Sequence, residues 1–167
     1  MRLSKNFTLK ELTYSSTALR RGINNEPSKE GIYKLTLLAT ELLQPLRERL
    51  GALRVTSGYR SPELNTALGS RSSAKSQHCK YEAVDLQFVK RGKMDNLMIY
   101  QMLIELGLDY DQCILEFGDS TATSDPSHPA WIHLSWKINN NRKQTLVAYK
   151  NESNLTKYRP LIQYKSL

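Results

Sequence analysis

Ser76-Gln77-His78-Cys79-Lys80-Tyr81-Glu82-Ala83-Val84-Asp85 places a histidine seven residues ahead of an aspartate, with a turn-sized interval between them. Asp85 belongs to an apolar run, Val84 to Val89, that reads as a buried strand. A loop histidine and a strand carboxylate can then curl toward one point. The chain has three histidines, and a second of them, His133, lies inside another strand-like run, Trp131 to Trp136. As a strand, that run puts His133 on one face with Trp131 and Ser135, and turns Ile132, Leu134 and Trp136 toward a core. Two imidazoles and one carboxylate make a three-ligand zinc set with a fourth position open for water. Such a set leaves the ion about one net positive charge, enough to polarise a carbonyl. Spacing alone leaves a plainer alternative open: a surface-loop histidine, a strand-end aspartate and an unrelated strand histidine.

Outward from this stretch, local signals predict further elements. Thr8 with Glu11 three residues on is a capping box for a short helix, with Phe7 and Leu12 as a hydrophobic staple. Ser15 to Asn25 reads as polar and irregular. Pro27 suits a first helical turn, and Ile32, Leu35, Leu38, Ala39, Leu42, Leu46 and Leu50 follow at helical spacing up to Gly51. Pro45 inside that pattern predicts a kink or a restart. Leu53 to Ser57 is a strand candidate, Glu63 to Leu68 a helical turn, and Gly69 to Lys75 a polar loop. Leu97 to Leu106 reads as an amphipathic helix stopped by Gly107, and Cys113 to Gly118 as a strand. Trp131 to Trp136 and Thr145 to Lys150 are expected as an antiparallel pair joined through Asn139-Asn140-Asn141. Residues 151–167 are polar enough for a loose tail. Helices first and strands later predict an α+β fold: a small antiparallel sheet carrying the zinc site, flanked by helices.

The chain's 167 residues are enough for one domain with a proper core, so 1–167 is expected to be a single unit. Its formal charge of +8 implies attraction to polyanions, an acidic wall polymer among them. Lys and Arg are scattered and not interleaved with aromatics, which argues against a nucleic-acid partner. No apolar run approaches membrane-spanning length, and the N-terminal residues lack the apolar core of a signal peptide. The expectation is a monomer made in the cytoplasm, with Cys79 and Cys113 as free thiols.

Several motifs together resemble one family. Ser57-Gly58-Tyr59-Arg60-Ser61-Pro62-Glu63-Leu64-Asn65 resembles the SGYRSPxxN segment of zinc DD-peptidases, the D-Ala-D-Ala carboxypeptidases and bacteriophage endopeptidases that cut peptidoglycan stem peptides. Ser76-Gln77-His78 with Asp85 resembles their S-x-H-x6-D segment, and Trp131 to Ser135 their terminal W-x-H-x-S strand. Phe7 to Thr13, with Gly22-Ile23-Asn24-Asn25, is similar to the lead-in of the phage and prophage branch. The resemblance runs over about residues 5–137. It implies zinc held by His78, Asp85 and His133, with Arg60 steadying the substrate carbonyl or developing oxyanion. It further implies Ser76 at the site as a substrate hydrogen-bonding group, a loop cap being its alternative. The implied substrate is a peptidoglycan peptide, cut by a D,D-carboxypeptidase or an endolysin-type endopeptidase after release to the wall or as part of a virion.

Two positions depart from the family pattern. Tyr81 stands where a glycine is usual, and a left-handed backbone there costs a tyrosine about 1 kcal/mol. Ala130 stands where many relatives carry the acidic general base, three residues ahead of the last histidine. Glu116, a carboxylate among Ile114, Leu115 and Phe117, is the first candidate to replace it, with Asp119, Asp125 and His128 in the following loop as alternatives. If none serves, the alternative function is a zinc-containing wall-binding or phage structural module with weakened catalysis, as the related hedgehog signalling domains illustrate for this fold. Cys79, next to His78, is a possible extra ligand.

Overall fold

The computed structural model describes residues 1–69 and 75–162. Residues 70–74, most of the polar loop expected over Gly69 to Lys75, and residues 163–167 lie outside the described residues. Among the described residues, no helix is long and apolar enough to cross a membrane.

Helix α1 (Leu9–Thr13) begins with the expected capping box: Glu11 N donates to Thr8 Oγ1 at 3.3 Å, and Thr8 N donates to Glu11 Oε2 at 2.8 Å. Phe7 and Leu12 are buried around it. Helix α2 (Ser16–Arg21) occupies the stretch expected to be irregular. It is capped by the Ser15 hydroxyl and closed by Gly22 in the left-handed region, but it buries only Ala18, too little for a hydrophobic period to register. Helix α3 (Lys29–Leu38) starts two residues after Pro27, because Ser28 is its N-cap and Ser28 Oγ accepts from Gly31 N at 3.0 Å. A π-turn (Ala39–Leu43) joins it to α4 (Gln44–Leu50). Pro45 lies in the first turn of α4, so the expected kink or restart takes the form of a π-turn followed by a new α-helical segment. The turn ahead of it widens, with Gln44 N donating five residues back to Ala39 O, and this makes room for the ring.

Among the described residues seven strands follow: β1 (Leu53–Ser57), β2 (Ala83–Lys90), β3 (Lys93–Met94), β4 (Gln112–Glu116), β5 (Trp131–Ser135), β6 (Gln144–Lys150) and β7 (Thr156–Pro160). Helix α5 (Pro62–Ala67) follows β1, and α6 (Leu97–Glu105) follows β3. The sheet order is β1-β2-β5-β4-β6-β7, with β3 paired to β2. All pairs are antiparallel except β4 with β6. The fold is α+β, as expected, but two sheet details differ. The strands at 131 and 145 are not a hairpin: β4 lies between them and pairs with both. Cys113 and Leu115 are fully buried and Ile114 nearly so, and burial on both faces demands a central position. The polar segment after residue 150 is not loose over Thr156–Pro160, which adds β7 to the sheet edge through a turn where Leu155 N donates to Asn151 Oδ1 at 2.8 Å. Mostly exposed on both faces, β7 carries no alternation that would announce it.

Strand alternation sorts the side chains. Val84, Leu86, Cys113, Leu115, Ile132, Leu134 and Val147 join Leu35, Leu38, Leu42 and Leu103 in one core. Each fully buried Leu or Ile there contributes about 1.5–3 kcal/mol. Asp85, Ile114, Glu116, His133 and Leu146 point to the opposite face, where they line a cleft.

Tyr81 takes the left-handed backbone that the glycine of the family pattern would take, at φ 65°, ψ 26°. The strain is offset by its ring, which stacks on Tyr59 with centroids 4.4 Å apart at 18°. The ring also fills the space above Gly31 in α3, where a Cβ would overlap its atoms. A glycine inside a helix thus makes room for a tyrosine in the turn that leads to β2. In an ordinary helix Gly→Ala stabilises by about 0.5–1 kcal/mol. Here Gly31→Ala is expected to destabilise by about 1–3 kcal/mol through overpacking. In a Tyr81→Gly background the sign should revert. Chemical denaturation of the four proteins in that cycle measures this, and a stabilising Gly31→Ala in the parent chain would refute it.

Candidate active site

Three chain segments converge on the sheet's open face. Asp85 in the middle of β2 lies directly across from His133 of β5. His78 comes from a 3-10 turn (His78–Lys80) that Tyr81 closes. His78 Nδ1 donates to the Gly58 carbonyl at 2.7 Å, which leaves Nε2 as the unprotonated donor atom of a neutral ring. That carbonyl is itself fixed. Tyr59 N donates to Leu12 O at 2.7 Å, and a Cβ at residue 58 would collide with the same Leu12 carbonyl, so only glycine permits the approach. Asn25 holds the far side of this loop: its Nδ2 donates to Thr13 O and Tyr59 O, and its Oδ1 accepts from Ser61 N at 2.6 Å.

Asp85 Oδ1 lies 3.4 Å from His78 Nε2 and 3.1 Å from His133 Nδ1. Donors about 2.05 Å from a tetrahedral centre sit roughly 3.3 Å apart, so these spacings suit a zinc ion. All three donor atoms lie within 4.8 Å of one another, and the side chains are only 7–12% exposed. The other carboxylate oxygen, Oδ2, accepts from Arg60 Nη2 at 2.8 Å, while Arg60 Nε donates to Ser57 Oγ at 2.8 Å. Arg60 thereby turns Oδ1 toward the histidines as well as lining the cleft. Burial disfavours the Asp85 charge, but His78 and the hydrogen bonds from His133 outweigh it and hold the carboxyl well below the usual range. Burial also pushes His78 down, toward the neutral form a metal requires.

Glu116 lies on β4 opposite Trp131, one strand over from the ligand row, and lines the same cleft. Burial pushes its carboxyl up to about 7, with the His133 and Arg60 charges acting against and Asp85 acting with that shift. Ala130 N donates to Glu116 O at 2.9 Å, so the position that lacks an acid is tied to the residue that has one. Of the loop alternatives, Asp119 accepts from His128 N and Ser127, Asp125 pairs with Arg159 at 2.6 Å, and His128 is 82% exposed beside Asp119. None of the three lines the cleft. Ser76 does, from beside the Cys79 thiol. Cys79 stays outside the converging group, its thiol raised by burial, and both cysteines are free.

Sequence reasoning passed over two other parts of the cleft. Tyr158 on β7 lies across Ala148 from Glu116 and forms one wall. Asp111, fully buried, gathers Gln77, Lys137 and Arg142 at the opposite end. Neither belongs to a local motif; each is brought in by strand pairing.

A buried His-Asp-His set beside a cleft carboxylate, on an α+β sheet, defines a zinc metallopeptidase. The family model for peptidase M15 matches residues 5–109, and the chain belongs to that family. Comparisons with curated proteins and with solved structures return no match. The match confirms the zinc peptidase resemblance and brings with it, in general terms, action on peptidoglycan.

Loss of a ligand should remove the metal. His78→Ala or Asp85→Ala is expected to abolish stoichiometric zinc and the thermal stabilisation that zinc confers on the parent protein. Arg60→Leu, which frees Asp85 Oδ2, should weaken zinc about 10–100-fold without abolishing it. Elemental analysis and zinc titration separate the two outcomes, and full occupancy in His78→Ala would overturn the ligand set.

Proposed function

We propose that the protein is an endopeptidase that hydrolyses an amide bond within peptidoglycan stem peptides, with Glu116 as its general base. The observation that carries this reading is the cleft, an open trough of about 1050 Å³ lined continuously from Asp111, past His133 and Glu116, to Tyr158. It extends to both sides of the metal ligands, so there is room for peptide beyond both ends of the cleaved bond. Zinc, when bound, polarises the scissile carbonyl and acidifies water. Glu116 takes the proton from the attacking water and returns it to the leaving amine nitrogen. A carboxyl raised to about 7 by burial is a stronger base than an exposed one and still releases the proton at neutral pH. Arg60, braced by Ser57 and Asp85, sets a fixed positive charge beside the developing oxyanion. Ser76 offers a hydroxyl to the peptide backbone. The +8 net charge supports encounter with an anionic wall. The phage-like lead-in at Phe7 to Thr13 supports arrival at the wall by lysis-linked release or within a virion.

Glu116→Gln keeps shape and one hydrogen bond but removes basicity. Zinc content should hold, while turnover falls by roughly 10²–10⁴-fold. Purified peptidoglycan incubated with and without a chelator provides the assay. An endopeptidase releases new amino termini on stem fragments, a carboxypeptidase releases only free terminal amino acid, and a binding module releases neither. Parent-level activity in Glu116→Gln would remove Glu116 from the mechanism.

A further inference from the structure

Asp111 is buried completely and yet is the centre of a charged group. Arg142 grips both of its oxygens, with Nε to Oδ1 at 2.9 Å and Nη2 to Oδ2 at 2.5 Å. Lys137 Nζ reaches Oδ1 at 2.8 Å, and Gln77 Nε2 donates to Oδ2 at 2.8 Å. Arg142 alone satisfies the carboxylate in bidentate fashion, so Lys137 adds a second cation beside the first. One anion between two cations leaves an excess of positive charge. Glu82 faces Lys80, Lys137 and Asp111, so this end adds one further anion and one further cation and keeps its positive excess. The carboxylate is hidden, but Lys137 and Arg142 remain 28% and 51% exposed and line the cleft. The hidden anion holds them in place, and an anion in the cleft would complete the neutralisation of this end.

The strand register sets how far this end lies from the metal. Asp111 N donates to Ser135 O at 2.8 Å, and Ser135 is two residues beyond His133 on β5. Trp131, paired with Glu116, is two residues the other way. Two residues of strand span about 6.8 Å, the same as two residues of extended peptide. The metal ligands thus stand between an acidic end and a cationic end.

We propose that Lys137 and Arg142, fixed by Asp111, form a carboxylate subsite that selects stem peptides with a free carboxylate about two residues from the cleaved bond. A diamino-dicarboxylic residue supplies such a group and a diamino-monocarboxylic residue does not. This selectivity rests on the peptidase reading above. The cations act by charge-assisted hydrogen bonds made equally to ground and transition states, so their effect is on KM.

The test uses two synthetic stem peptides, identical except that this carboxylate is free in one and a primary amide in the other. The parent zinc protein should show a KM about tenfold or more lower for the acid peptide, with similar kcat. Lys137→Gln and Arg142→Gln should raise the acid peptide's KM to that of the amide and leave the amide's KM unmoved. A purely structural network would raise both values together, and equal KM values in the parent would overturn the subsite. Should a variant fail to fold, the acid–amide comparison on the parent decides alone. Calorimetric titration of Glu116→Gln with both peptides separates the two readings. Preference for the acid peptide, with no cleavage by the parent, keeps the subsite and sinks the peptidase. Cleavage of both peptides without preference does the reverse.

Discussion

The structure depends on keeping Asp85 ionised in a nearly buried position on the sheet. An isolated carboxylate there would lose several kcal/mol of hydration, so it is tolerated only with its oxygens engaged. Oδ2 is held by Arg60, and Oδ1 faces His78 and His133. Those three partners come from the loop after β1, the turn before β2 and the middle of β5. Satisfying one charge therefore fixes the relative positions of three separate segments. The same requirement explains the chain of backbone contacts behind the site. His78 is aimed by the Gly58 carbonyl, Gly58 is pressed on Leu12, and the loop is tied to Asn25. The short helices at the N-terminus are, in effect, the outermost support of the metal ligands.

The two departures from the family pattern are compensated in different ways. At Tyr81 the cost is conformational, about 1 kcal/mol for a non-glycine residue in the left-handed region. It is met by packing on Tyr59 and in the space over Gly31, so the loop keeps its shape with a different residue. At Ala130 the loss is chemical, and no packing can replace a proton acceptor. In the proposed mechanism the replacement is a carboxylate on the adjacent strand, Glu116, hydrogen-bonded through its backbone to Ala130 itself. β4 can deliver it because its face alternation coincides with that of β5, so Ile114 and Glu116 share the face of His133 and Trp131.

The matched family region ends at residue 109, while His133, Glu116, Asp111, Lys137 and Tyr158 all lie beyond it. The part of the chain that supplies the third ligand and most of the cleft wall is also the part whose strand order is hardest to read. β4 is central and pairs with β5 and β6 on either side, so one strand determines how the ligand row, the acid and the outer wall align.

Local chemistry was enough for several features. The capping box at Thr8 and Glu11, the apolar period of α3 and α4, and the strand alternation around Asp85 and His133 depend on neighbours a few residues away. The candidate trio was legible through the resemblance of its three segments to one family, where spacing alone left unrelated roles open for each residue. What stayed hidden had no local period to mark it. The edge strand β7 folds back on its neighbour β6 but is exposed on both faces, while the parallel pairing of β4 with β6 and the gathering of Lys137 and Arg142 on Asp111 join residues distant in sequence. Sequence could nominate His78, Asp85 and His133 as the residues to hold zinc, since side-chain type and motif resemblance are written in the chain itself. Only the tertiary structure could decide what surrounds the ion, because strand order and register bring those side chains together.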